Sequence, residues 1–261
     1  FEKFHSETKF ITERVTESLG DLYAMHWPYK QHKSSRNIKL LPFHDDLKIK
    51  GACFGQVAGF ERPMWYALNG KKPEYEYSYG YQNWYDAAKY ETINTRKNVG
   101  LFDLSAFAKF EIKGVSAFSD LQRLCCNDIK NNPGHTTYTQ MLNSNGGIVA
   151  DLTVTCIDKD SFRIVTGSSV REHDKKHISE NLSKNTTLID ITESLACFGV
   201  FGPKSREILT EIFGEHFSKD NFKFGTAKEI SINNDKLIFQ RLSFVGELGW
   251  EIYVPINISR E

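Results

Sequence analysis

The chain has 261 residues, with 33 basic against 33 acidic, 40% hydrophobic and 13% aromatic, enough apolar material for one large domain or two smaller ones. The balanced charge offers no footprint for nucleic acid or an anionic membrane surface. No apolar run approaches the ~20 residues of a membrane span, and no signal-peptide pattern opens the chain. Cys53, Cys125, Cys126, Cys156 and Cys197 lack C-x-x-C spacing; adjacent Cys125 and Cys126 read as small core residues, in a reducing compartment.

In chain order, Phe10, Ile11, Val15 and Leu19 are spaced as on one face of a helix that ends at Gly20. The start at Phe1 and the stop at Glu261 read as cuts through a longer protein. From Leu22 to Gly70 aromatics, prolines and glycines replace any periodicity, which reads as a compact, loop-rich connector. Residues 71–80 are polar and aromatic, a surface segment at a boundary. A helix is expected over 83–99, with Gly100 as its C-terminal glycine. A turn and a strand follow to Gly114, then an amphipathic helix over 116–126 with Phe118, Leu121, Leu124 and Cys125 inward.

The centre of the chain is a hairpin. Tyr138–Leu142 and Ile148–Thr155 are rich in β-formers, and Asn143-Ser144-Asn145-Gly146-Gly147 supplies the residues a tight turn needs. Asp151 is out of place there, because a carboxylate in a strand must either face water or serve a site. A strand over 162–167, a helix over 170–182 and a strand pair at 188–192 and 196–203 come next. Gly202-Pro203 turns the chain into a helix through Phe213 and lacks the phosphate-loop pattern. Three further strands lie near 229–232, 237–243 and 250–254, the last two flanking Phe244-Val245-Gly246-Glu247-Leu248-Gly249. Strands and helices mix without a βαβ rhythm, so the fold class is α+β with antiparallel sheets. His173 and His177 lack a zincin pattern and read as a solvated helix face, so no metal site is expected. No G-x-G-x-x-G offers a dinucleotide site.

Several of these motifs resemble a known family. Asn143, Gly146, Gly147, Ile148 and Asp151 fall on the N-x-x-G-G-I-x-x-D signature of aminomethyltransferases, the T-protein of the glycine cleavage system. The runs Val99-Gly100-Leu101-Phe102-Asp103-Leu104-Ser105 and Ala108-Lys109-Phe110 are similar to that family too. Leu41 to Leu47, Gly51-Ala52-Cys53-Phe54-Gly55 and Gly59-Phe60-Glu61-Arg62-Pro63-Met64-Trp65 resemble the linker of dimethylglycine and sarcosine dehydrogenases, with Phe43 for a usual leucine and Cys53 for a usual valine. The resemblance implies three parts: 1–22, the end of a flavin oxidoreductase domain; 23–78, an aromatic-rich linker domain; and 79–261, a T-protein-like folate domain.

The resemblance also implies an N-methyl amine dehydrogenase in which FAD, bound elsewhere in the parent protein, oxidises the amine, and tetrahydrofolate receives the one-carbon unit here. Asp151 would be the catalytic carboxylate. Glu247, in a Y-x-G-E-x-G-[WF]-E pattern with Phe244 at the tyrosine position, would bind the pterin; Tyr138 is a further folate contact, and Thr166 and Arg241 are subsidiary ones. A methylated amine or its iminium would be the small-molecule partner, with no nucleic acid or membrane involved. The location would be cytoplasmic in a bacterium and the mitochondrial matrix in a eukaryote. A stand-alone aminomethyltransferase and a non-catalytic folate-binding module are the alternative readings.

Overall fold

The computed structural model describes residues 3–232, 235–244 and 246–259. The chain divides into two compact units, 1–94 and 95–261.

In the first unit, α1 (Thr8–Asp21) runs through Gly20 rather than stopping there. The expected loop-rich connector contains a small sheet: β1 (Lys39–Leu40), α2 (His44–Ile49), β2 (Ala52–Val57) and β3 (Phe60–Tyr66), in the strand order β1-β3-β2. The sequence concealed it because Gly55 and Pro63 interrupt both strands. Proline is tolerated at sheet irregularities, and Pro63 sits where the β2–β3 register shifts. The hairpin turn at Ala58 (φ 50°) and Gly59 (φ 81°) has two left-handed residues in succession, the form that matches strand twist. Glu61 is buried, and its carboxylate is paired with the Arg36 guanidinium. α3 (Tyr85–Lys97) follows.

The second unit has two five-stranded sheets in which all pairings are antiparallel. β4 (Gly100–Asp103) begins where a helix cap was expected. Gly100 is needed for space instead, since a Cβ there would meet Thr95 Oγ1 at 2.5 Å. β5 (Ala108–Lys113), α4 (Ala117–Leu124), β6 (Thr136–Leu142), β7 (Ile148–Asp158), β8 (Ser161–Thr166), α5 (Arg171–Asn181) and β9 (Thr187–Asp190) come next. β10 (Leu195–Phe201), α6 (Ser205–Phe213), β11 (Thr226–Ile232), β12 (Asp235–Arg241) and β13 (Gly249–Pro255) complete it. One sheet has the order β6-β7-β8-β5-β9 and the other β11-β12-β13-β10-β4. The expected strand pair β9 and β10 is therefore split between the sheets: β9 pairs with β5, while β10 lies between β13 and β4.

Each sheet has one greasy face, and that face looks outward. Leu152, Val154, Phe162, Ile164, Phe110 and Ile112 pack with Leu121 of α4 and Ile178 of α5. Phe239, Trp250, Ile252 and Val254 pack with Leu209 of α6. Cys125 is buried against the first of these cores, whereas Cys126 is exposed, contrary to its reading as a core residue.

The other two faces meet. Thr155 Oγ1 donates to Gln240 Oε1 across the gap at 3.1 Å, and the Arg163 guanidinium sits over the Tyr253 ring at 5.0 Å. Backbone bonds from Thr136 N to Gly225 O and from Ala227 N to Gly134 O tie the sheets together at one side. Between two apolar layers thus lies a mixed one, in which Thr155, Arg163 and Gln240 stand beside an apolar cluster of Val165, Cys197 and Tyr253.

Candidate functional site

Strand pairing decides which side chains enter that layer, because directly opposed residues share a face. Gln140 opposes Asp151, and Tyr138 opposes Thr153, which in turn opposes Val165. Thr136 opposes Thr155, and Thr155 opposes Arg163. On the second sheet Gln240 opposes Glu251, and Ile238 opposes Tyr253. All of these residues share the inter-sheet faces.

At the mouth of the layer stand Tyr138, Gln140 and Asp151. Asp151 is exposed, and Gln140 Nε2 donates to its Oδ1 at 3.0 Å. Tyr138, 51% exposed, shares this face, and the Asp151 carboxylate is the main reason its pKa is raised. The turn beneath them is organised by one side chain: Asn143 Oδ1 accepts from Asn145 N and Gly147 N, both at 2.9 Å. Gly146 takes φ 79° beside it, a left-handed position that glycine fills without strain. The asparagine and glycines of the signature build the turn, and the aspartate projects beyond it.

Deeper in, the layer is short of partners. Arg163 is only 7% exposed, yet its Nε and Nη1 have no hydrogen-bond partner, and burial lowers its pKa. Gln240 Nε2 is also unpartnered. Glu251 accepts from the Tyr253 hydroxyl at 2.6 Å, and burial raises its pKa. Buried donors are nearly always satisfied, so the orphaned N–H-bearing atoms of Arg163 and Gln240 describe a surface built for something polar.

The remaining sequence candidates lie elsewhere. Thr166 belongs to the outward face, where it is buried and donates to Asp174 Oδ2 at 2.6 Å. Arg241 lies on the outward face of the other sheet, with its guanidinium 5.7 Å from the Trp250 ring centroid and Nη1 donating to Phe222 O at 2.6 Å. Glu247 sits in the loop before β13 with its carboxylate 3.3 Å from Arg96 Nη1. Phe244 is 98% exposed. Residues the sequence reading passed over are Gln140, Arg163, Val165, Gln240, Glu251 and Tyr253. Their signal was parity: each is two or four positions from another inward residue.

Among the described residues Glu17, Asp21 and His32 form the one cluster with metal-ligand spacing. It is already satisfied: Glu17 accepts from Lys33 N, Ser34 N and the Ser34 hydroxyl, and Lys30 Nζ lies 2.5 Å from Asp21. No helix among the described residues is long and apolar enough to cross a membrane.

Two antiparallel sheets with a carboxylate-bearing hairpin at their junction form an aminomethyltransferase-like fold, and the comparisons agree. Residues 43–261 match the GCVT N-terminal domain, so the chain belongs to that family; residues 1–40 match the FAD dependent oxidoreductase central domain. It is 39% identical, over 99% of its own length, to 4-methylaminobutanoate oxidase (formaldehyde-forming) of Paenarthrobacter nicotinovorans, covering 32% of that protein. It is 31% identical over 95% of its length to human mitochondrial sarcosine dehydrogenase, covering 31% of that protein. Glycine cleavage system aminomethyltransferase T from Bartonella henselae shares its fold, with TM-score 0.70 over 86% of this chain and 55% of that one at 22% identity. The chain thus spans about a third of the length of the enzymes it resembles in sequence.

Proposed function

We propose that this chain carries the one-carbon transfer site of an FAD- and tetrahydrofolate-dependent N-methyl amine dehydrogenase. In this reading residues 1–22 belong to the flavin domain, 23–78 link it, and 79–261 form the folate domain. The observation that carries it is the Asp151 carboxylate, held by Gln140 beside Tyr138 at the mouth of an inter-sheet layer with unpaired buried donors.

The residues suit a folate. A pterin edge presents paired N–H donors that a carboxylate accepts as a set, together with a carbonyl and ring nitrogens that need donors. Glu251 supplies the first; Arg163 and Gln240 Nε2 supply the second. We place Glu251 at the pterin edge and Glu247, with Arg96, at the rim. When bound, tetrahydrofolate supplies the secondary-amine nitrogens that take the one-carbon unit. Asp151 stabilises the iminium cation before the step. In the overall exchange both bonds of the iminium C=N would break and the carbon would join two folate nitrogens, so two N–H protons would be shed; Asp151 would accept one and pass it to the departing amine, and the other would leave to solvent with the iminium's positive charge.

The 39% identity to a formaldehyde-forming oxidase favours a second reading, in which water takes the iminium and formaldehyde leaves. One experiment separates them: calorimetric titration of tetrahydrofolate into the full-length protein, beside Glu251→Gln and Glu247→Ala, with Asp151→Asn assayed for methylene transfer. Saturable binding that weakens at least tenfold in Glu251→Gln, with transfer lost in Asp151→Asn, supports the transfer site. No binding to the wild type would move the assignment to the formaldehyde-forming reading. Collapse in Glu247→Ala alone would return the pterin to Glu247.

A further inference from the structure

Asp151 stands on an exposed strand face, and a free carboxylate there would rotate about its terminal torsion. Its cross-strand neighbour restrains it: Gln140 lies directly opposite on β6, and its Nε2 donates to Asp151 Oδ1 at 3.0 Å. Tyr138, two residues earlier on the same face, feels both side chains: Asp151 raises its pKa and Gln140 acts the other way. The register that places all three on one face is set by the Asn143 turn.

We infer that Gln140 is the positioning residue of the transfer site, its side-chain amide fixing Oδ1 of Asp151 so that the carboxylate meets the reacting nitrogen in one orientation. The inference rests on the transfer reading above. A general base displaced by a fraction of an ångström loses rate steeply, because the reacting atoms must be in near-attack contact. Removing the amide also removes the one side-chain donor that fixes Oδ1.

The test compares Gln140→Leu and Gln140→Glu with wild type and Asp151→Asn in the full-length protein. Gln140→Leu removes the donor at similar bulk, and Gln140→Glu keeps the side chain's shape but replaces the donor with a second carboxylate facing Asp151, so both lose the hydrogen bond. Methylene transfer should fall roughly tenfold in both Gln140 variants. The product ratio should shift toward formaldehyde in both. A second readout needs no folate: tyrosine-selective NMR titration should show Tyr138 ionising at higher pH in Gln140→Leu than in wild type, because an N–H that stabilises its phenolate is gone.

Wild-type transfer and an unmoved Tyr138 titration in Gln140→Glu would overturn the inference while leaving the Asp151 assignment standing. Wild-type transfer in Asp151→Asn would overturn the function reading itself, and the positioning role with it. The two failures are therefore distinguishable.

Discussion

Tyr138 is the reporter of the mouth of the site. The Asp151 carboxylate raises its pKa, while the Gln140 amide acts the other way. Asp151→Asn should therefore lower the pH at which Tyr138 ionises, opposite in sign to the Gln140→Leu effect, and NMR titration of that one ring checks it. An unchanged midpoint would mean that the carboxylate does not act on the phenol in solution. Asp151 could be singled out in the sequence because a carboxylate among β-formers is anomalous and because the stretch around it resembles the family signature. Glu251 was not, since in Gly249-Trp250-Glu251-Ile252-Tyr253 it reads as an ordinary polar alternation on a half-solvated strand. Only the second sheet, lying against it, turns that face from a wet surface into a lined layer. Thr166 and Arg241, the weaker folate candidates, both lie on outward faces.

The hairpin depends on Asn143 as much as on its glycines. Asn143→Ala removes the acceptor for two backbone N–H groups, a loss of about 1 kcal/mol in local stability. Hydrogen exchange at Asn145 and Gly147 should quicken by roughly fivefold, and Asn143→Asp, which keeps the acceptor, should restore protection. Equal exchange in all three proteins would show that the backbone holds the turn alone. Elements with clean alternation or helical spacing were readable: β5, β8 and α4 lie close to where the pattern put them. The β2–β3 sheet was not, because its strands carry a glycine and a proline where a periodic pattern is sought. Nor does spacing along the chain say that β9 and β10, four residues apart, separate into different sheets.

Across the second unit, the layer between the sheets also holds Lys109, which is fully buried with Nζ donating to Ser105 O and Phe107 O at 2.8 and 2.9 Å. Burial brings its pKa down from 10.5 to about 8. An unfolded lysine keeps its proton to the ordinary value while the native one releases it near 8, so stability rises as pH climbs through that interval. The gain is of order 3 kcal/mol. Cys197 and Tyr253, raised by burial, push the other way above their unfolded values, so the contrast with Lys109→Met is the informative one. That variant should lose the upward slope between pH 8 and 10 in denaturation experiments; parallel curves would show that Lys109 titrates normally.

The alternation along β7 and β8 has a consequence for how such a protein can change over generations. Inward letters such as Asp151, Thr153, Thr155 and Arg163 face the layer where the site is proposed, and the letters between them, Leu152, Val154 and Ile164, belong to the core. Substitution at one set leaves the other free, so ligand preference and robustness can drift almost independently. Loss or gain of a single residue inside either strand is another matter, because it exchanges the two sets at a stroke. Lineages should therefore vary in length in the loops, and keep the count within these two strands fixed.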